Sequence, residues 1–173
     1  RWSPRAFASD KPVSPADVEA VVEAAHFAPS CMNEQPWRIL VADREPLHEQ
    51  MLQVLSEKNR SWARHAPVLL LLMARTTFSE SGKPNAWSRF DLGTAWGFLS
   101  LEAQRRGLQT HAMAGFKPEL ARTLFSLPPE LDPVAVVAMG YAGKKEDLPP
   151  DLREREHPNG REPIASVLYV PGE

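Results

Sequence analysis

Arg1-Trp2-Ser3-Pro4-Arg5 places two guanidinium groups and a hydroxyl within five residues, a combination that can hold a phosphate through charge-assisted hydrogen bonds. A solvated N-terminal arm is the alternative reading. The stretch from Ala28 to Trp37 is the second place where chemistry could reside. Its two prolines, Pro29 and Pro36, keep a helix from running through. Between them Ser30, Asn33 and Gln35 offer one hydroxyl and two amides, each amide presenting both donors and an acceptor. That inventory suits the edge of a flat heteroaromatic ligand, and it also suits an ordinary polar connection between a helix and a strand. Gly115, between a strand-like run and a helix, either admits a ligand close to the backbone or is a turn glycine. Arg161, in Gly160-Arg161-Glu162-Pro163, adds a cation near the other end of the chain.

Other chemistries lack their residues. His26, His48, His65, His111 and His157 show no metal-ligand spacing and no His-Glu-x-x-His. Neither a Gly-x-Ser-x-Gly elbow nor a partner that would make Cys31 a nucleophile is present, so hydrolase chemistry has no support. Without Gly-x-Gly-x-x-Gly after a strand, or a P-loop, neither a Rossmann dinucleotide site nor an ATPase is expected. The 173 residues suit one domain. Lysine and arginine number 20 against 22 acidic residues, a net charge of -2, so nothing global favours nucleic acid or an anionic membrane and a small-molecule partner is expected. The single cysteine fits a reducing compartment, and no apolar run reaches the ~20 residues needed to span a bilayer. A cytoplasmic location is the expectation.

The elements that must position these residues can be read in order. Ser14, Pro15 and Asp17 form a helix start, and Val18, Val21, Val22, Ala25 and Phe27 form its apolar stripe. This helix delivers the chain to the loop at 28–37, and Arg38 to Ala42 reads as a buried strand. One helix is expected from about Glu45 to Lys58, on Leu47, Met51, Leu52 and Leu55. Val68 to Met73 reads as a central strand buried on both faces. The longest helix, about Ala86 to Arg106, carries apolar residues almost all round its axis: either it is the central core helix, or one face packs on another subunit. Gly93 and Gly97 would admit a close neighbour there. Gly107 ends it as a left-handed cap. A strand at 108–113, a helix from Pro118 and a strand at 134–139 follow. Residues 143–162 are charged and proline-rich, and Pro163 to Val170 reads as an apolar terminal strand that crosses to dock, with a partner subunit as one candidate. The result is an α+β, three-layer sandwich of helices around one sheet.

Taken together and in this order, Arg1-x-Ser3-x-Arg5, Ala28-Pro29-Ser30-x-x-Asn33-x-Gln35-Pro36-Trp37, Met113-Ala114-Gly115-Phe116 and Arg161-x-Pro163 resemble the nitroreductase family of FMN-dependent oxidoreductases. The resemblance covers nearly the whole chain. It implies a central, mostly antiparallel sheet flanked by helices, a single domain over 1–173, and an intertwined homodimer in which the tail from about 143 docks on the partner. Two equivalent FMN sites would each be built from both chains. Arg1, Ser3 and Arg161 would hold the phosphate, with Trp2 packing beside them, and Arg5 would approach the pyrimidine edge of the ring. Pro29, Ser30, Cys31 and Asn33 would line the ring, and Met113, Ala114 and Gly115 would face it through backbone. NADH or NADPH would deliver hydride and a nitroaromatic, quinone or related acceptor would then take the electrons. No catalytic side chain is expected, because the flavin carries the chemistry. Dehydrogenation of a bound substrate, flavin modification, or flavin binding without catalysis are the other activities the resemblance admits. The chain departs from the family pattern at Ala114, where many relatives carry an acidic residue, and at Cys31, which is usually serine. Its short segment between Arg75 and Trp87 implies an open pocket.

Overall fold

A computed structural model describes residues 1–171. Four strands form one antiparallel sheet: β1 (Trp37–Ala42), β2 (Val68–Arg75), β3 (Gln109–Met113) and β4 (Leu131–Gly140), in the order β1-β2-β4-β3. The expected α+β sandwich is the observed architecture. Side chains alternate across a strand, and β2 uses that alternation to join two cores. Leu69, Leu71 and Met73 pack on one face with residues of α2 (Leu47–Val54), α3 (Glu57–Ala63) and α5 (Pro118–Leu124). Val68, Leu70, Leu72 and Ala74 pack on the other with α1 (Pro15–His26) and α4 (Ser88–Arg105). Leu69, Leu70 and Leu71 are all fully buried, each contributing about 1.5–3 kcal/mol relative to exposure.

The start of α1 follows its sequence. Ser14 Oγ accepts from the Asp17 amide at 3.0 Å, which satisfies one donor of the open helix end. Asp17 in turn accepts from Arg106 at 2.9 Å, tying α1 to the end of α4. Gly107 adopts φ 76° after α4, a left-handed conformation that costs glycine little. Phe27 departs from the expected stripe: it caps α1 and is 71% exposed, while Val18, Val21 and Ala25 are buried.

Two further expectations need correction. The single helix at 45–58 is broken into α2 and α3, because Leu55 leaves the helix to bridge Phe116 and Ser56 opens a new one, its Oγ accepting from the Asn59 amide at 3.4 Å. The apolar end is not a strand. Among the described residues only a 3-10 turn at Ile164–Ser166 forms there, after the short α6 (Pro150–Arg153): no described strand pairs with it to supply a hydrogen-bonding ladder. In α4 the apolar residues divide, with Leu92, Ala95, Leu99 and Ala103 buried and Trp87, Phe90, Phe98 and Leu101 exposed. Beyond the backbone of α4 itself and the adjacent residues, no atom of the described residues comes within 4 Å of where a Cβ on Gly93 or Gly97 would stand, so both positions are open to a close neighbour.

Candidate functional site

Residues 1–8 form an extended arm at the β3 edge of the sheet. Phe7 bridges Ala142, and Gly143 donates its amide to Ala6 O at 3.0 Å. Glu156, which follows α6, fixes the arm's course by accepting from the amides of Arg5 and Ala6 at 2.8 and 2.9 Å. From β3, His111 Nδ1 lies 2.9 Å from Pro4 O. Phe7 stacks on Trp62 of α3, whose other neighbour is the His111 ring at 4.7 Å, and Arg1 lies over the Trp96 ring of α4 at 5.4 Å. The arm is therefore held in both helix layers.

This course gathers a cavity of about 230 Å³ lined by Arg1, Trp2, Ser3, Arg5, His111, Arg155, His157, Asn159 and Arg161. Arg1 donates to Ser3 Oγ at 3.3 Å, and Arg161 donates to the carbonyls of Asn159 and Gly160 at 3.3 and 3.1 Å. Among the described residues, neither Arg1, Arg155 nor Arg161 has a carboxylate partner, and Arg5 has only Glu156, at 4.0 Å. Burial and the facing Arg161 hold the Arg1 guanidinium below its usual pKa. Cations held together against their own repulsion match a dianion such as a phosphate monoester. The expected residues Arg1, Trp2, Ser3, Arg5 and Arg161 thus share one cavity wall, and His111, Arg155, His157 and Asn159 are additions that sequence reasoning did not select.

The loop at 28–36 lies elsewhere. Its 3-10 turn, Cys31–Asn33, hangs on α4 through the Cys31 amide, which donates to the buried Asp91 at 3.1 Å. Gln35 donates its amide to Ser30 Oγ at 2.9 Å. Met32, Asn33 and Gln35 have φ of 52°, 57° and 48°, a conformation that costs non-glycine residues of order 1–3 kcal/mol each and persists where surrounding contacts over-determine it. Glu34 provides much of that restraint: it accepts from Arg75 at 2.8 Å and from the amide and hydroxyl of Ser79, both at 2.9 Å. Pro29, Met32 and Asn33 remain exposed. No hydrogen bond among the described residues joins this loop to the arm, so one chain alone does not bring Pro29, Ser30, Cys31 and Asn33 to the cationic cavity.

Hydrogen bonds from Ser79, ahead of the Arg75 ion pair, hold the Glu34 carboxyl below its ordinary value of 4.5. A depressed folded-state pKa means stability present above the unfolded value and lost as pH falls through the folded one. The thermal midpoint of Glu34→Gln is therefore expected to lie below that of the parent chain at pH 7, and the gap to close as pH is lowered from about 4.5. A gap independent of pH would show that the charge on Glu34 does not hold the loop.

Met113, Ala114 and Gly115 end β3 beside α3. The Met113 side chain is buried in the core and Ala114 and Gly115 are exposed, so a ligand here meets backbone. Gly115 O accepts from the Ser56 amide and from Asn59 Nδ2, each at 3.0 Å. A Cβ on Gly115 would stand 2.7 Å from that amide nitrogen. The close approach that requires glycine here is to α3.

The nitroreductase family model matches residues 1–61 and 47–141. An NADH dehydrogenase of Thermus thermophilus is 28% identical over an alignment covering 97% of this chain and 91% of its own. An iodotyrosine deiodinase of Thermotoga neapolitana is 29% identical over 82% of this chain and 84% of its own. Among solved structures, an oxidoreductase containing FMN superimposes with a TM-score of 0.94 at 37% identity, over all of this chain and 88% of that one.

Proposed function

Because the chain belongs to the nitroreductase family, we propose that it is an FMN-dependent NAD(P)H oxidoreductase whose cofactor phosphate occupies the cavity between the arm and the C-terminal segment. Bound there, FMN supplies the redox chemistry, accepting hydride from NADH or NADPH and passing electrons to a nitroaromatic, quinone or related small acceptor. The observation that carries the assignment is the set of guanidinium groups, Arg1, Arg155 and Arg161, without acidic partners among the described residues around one cavity of about 230 Å³. In that role Arg1, Ser3 and Arg161 hold the phosphate, Trp2 packs beside it, and Arg5, positioned by Glu156, places a cation toward the ring.

The loop at 28–36 enters the same reading through a second copy of the chain. A homodimer would bring Pro29, Ser30, Cys31 and Asn33 of one subunit to the arm of its partner, beside the backbone of Met113, Ala114 and Gly115. The exposed face of α4, with Trp87, Phe90, Phe98 and Leu101, supports such an interface. So does the tail, where Ile164, Val167, Leu168 and Tyr169 are each more than 60% exposed. Contiguous exposed apolar surface of this kind marks interaction sites. Residues 1–173 then form one domain whose tail from about 143 docks on the partner, its last two residues lying outside the described ones. The short connection between β2 and α4, closed by a bridge from Thr77 to Pro84, supports a pocket open to acceptors of varied shape. No helix among the described residues is long and apolar enough to cross a membrane, and the single cysteine suits work in the reducing cytoplasm.

The purified protein is expected to be yellow, or to become so with added FMN, and anaerobic NADH or NADPH is expected to bleach the flavin absorbance. A protein that neither carries nor binds FMN overturns the cofactor assignment. A yellow protein that neither nucleotide bleaches overturns the hydride-donor assignment and favours dehydrogenation of a bound substrate.

A further inference from the structure

His111 is a titratable group on the wall of the cationic cavity, and its hydrogen-bonding state follows from one contact. Nδ1 lies 2.9 Å from Pro4 O, and a carbonyl oxygen only accepts, so Nδ1 carries its hydrogen in every state of the ring. In the neutral ring Nε2 therefore presents a lone pair. It makes no hydrogen bond to any described residue. Turning the ring by 180° would keep its face on Trp62, 4.7 Å away, but would put a carbon where Nδ1 stands and forfeit the Pro4 bond. A lone pair is the wrong group to face a phosphate, whereas an N–H is the right one.

We infer that His111 is a proton-accepting ligand of the cofactor phosphate: as FMN binds, the ring takes one proton from solvent at Nε2 and donates it in a hydrogen bond to the anion. This rests on the FMN reading above. The surroundings set the direction of the coupling. Arg1 and Arg5 face the ring from the arm and Glu156 from the C-terminal segment, with Arg155, His157 and Arg161 on the same cavity wall. From α3 it meets the apolar Trp62, and its neighbour across the sheet on β4 is Ala138. Burial first, then the two arginines, hold the free ring below its usual 6.5 against the opposing pull of Pro4 O and Glu156. A phosphate reverses that balance by placing negative charge among the cations. With the bound pKa above the free one, binding takes up a proton between the two values. Affinity there falls by up to about tenfold per pH unit as pH rises, and levels off above the bound value. The phosphate's own second ionisation, near pH 6, works in the opposite sense, so the measurement belongs at pH 7 and above.

Titration calorimetry of FMN and of riboflavin, in buffers of different ionisation enthalpy between pH 7 and 8, counts the protons directly. The parent chain and His26→Asn, a variant of an exposed histidine on α1, are expected to take up protons as FMN binds, and His111→Asn few or none, with weaker FMN binding that varies less with pH. Riboflavin, lacking the phosphate, is expected to bind without uptake. Equal counts for the parent and His111→Asn overturn the inference, as does loss of uptake in His26→Asn instead. Histidine ring NMR of the parent chain needs no variant: FMN is expected to move one ring of the five to its imidazolium shifts, and five unmoved rings overturn the inference. FMN binding without proton uptake overturns this inference alone, whereas binding of neither flavin overturns the cofactor reading with it.

Discussion

Replacing Arg1 and Arg161 together by alanine is expected to give a folded protein that purifies colourless and holds FMN about 10²–10⁴-fold more weakly than the parent chain. The size follows from two hydrogen bonds between charged groups, each contributing about 1.5–3 kcal/mol, with ~1.4 kcal/mol for each factor of ten. Arg161→Ala alone is expected to lose roughly 10–100-fold by the same reasoning. The free protein should stay folded, because the side-chain interactions lost are one hydrogen bond from Arg1 to Ser3, the Arg1 contact over Trp96, and bonds from Arg161 to exposed carbonyls. Removing either also relieves the repulsion that adds to burial in lowering the pKa of Arg1, which offsets part of the lost contact with Trp96, so the melting temperature without cofactor should change little. Riboflavin separates the phosphate from the ring: its affinity should be nearly the same in parent and double variant. Unchanged FMN affinity in the double variant would remove the phosphate from this cavity.

Trp62→Ala is expected to be among the most damaging single truncations for stability, at about 3–5 kcal/mol out of the ~5–15 kcal/mol that hold a domain of this kind together. Trp62 is 1% exposed and lies between Phe7 of the arm and His111 of β3. The cavity left by alanine would therefore open under the arm as well as within the core. Its indole nitrogen is buried without a partner among the described residues, so Trp62→Phe forfeits no hydrogen bond to them and should cost less than half as much as alanine. Urea unfolding of the cofactor-free protein measures both. A loss below ~1 kcal/mol for alanine would mean that the arm and His111 close over the gap, contrary to close packing in cores.

Local signals account for most of what the sequence made legible. The Ser14 cap, the doubly buried β2 and the Gly107 terminus each depend on neighbours within a few positions, and each stands where expected. The break between α2 and α3 was not legible, because Leu55 continues the helical apolar spacing of Leu47, Met51 and Leu52. What decides the break is the bridge to Phe116, which no window around Leu55 contains. His111 and Glu156 were missed for the same reason, since their partners in the arm lie 107 and 150 or more positions away. The loop at 28–36 was recognised by its residue types while its backbone was not. Left-handed conformations at Met32, Asn33 and Gln35 carry no glycine to announce them and are imposed by Asp91, Arg75 and Ser79.

The alternation along β2 has a bearing on how such a site can diverge. Because neighbouring residues of β2 belong to different cores, the sheet works as a bulkhead: the loop at Cys31 is moored to the α1/α4 compartment, and His111 and Trp62 belong to the α2/α3/α5 compartment. Repacking around Leu92 or Ala95 can retune the loop that is proposed to line the flavin ring while the compartment beneath the phosphate cavity stays as it is. The arm is moored in both, through Arg1 on Trp96 and Phe7 on Trp62. Changes around the proposed ring can thus accumulate on one side of the bulkhead with little effect on the cavity proposed for the phosphate, and the arm is the segment with the least freedom to vary.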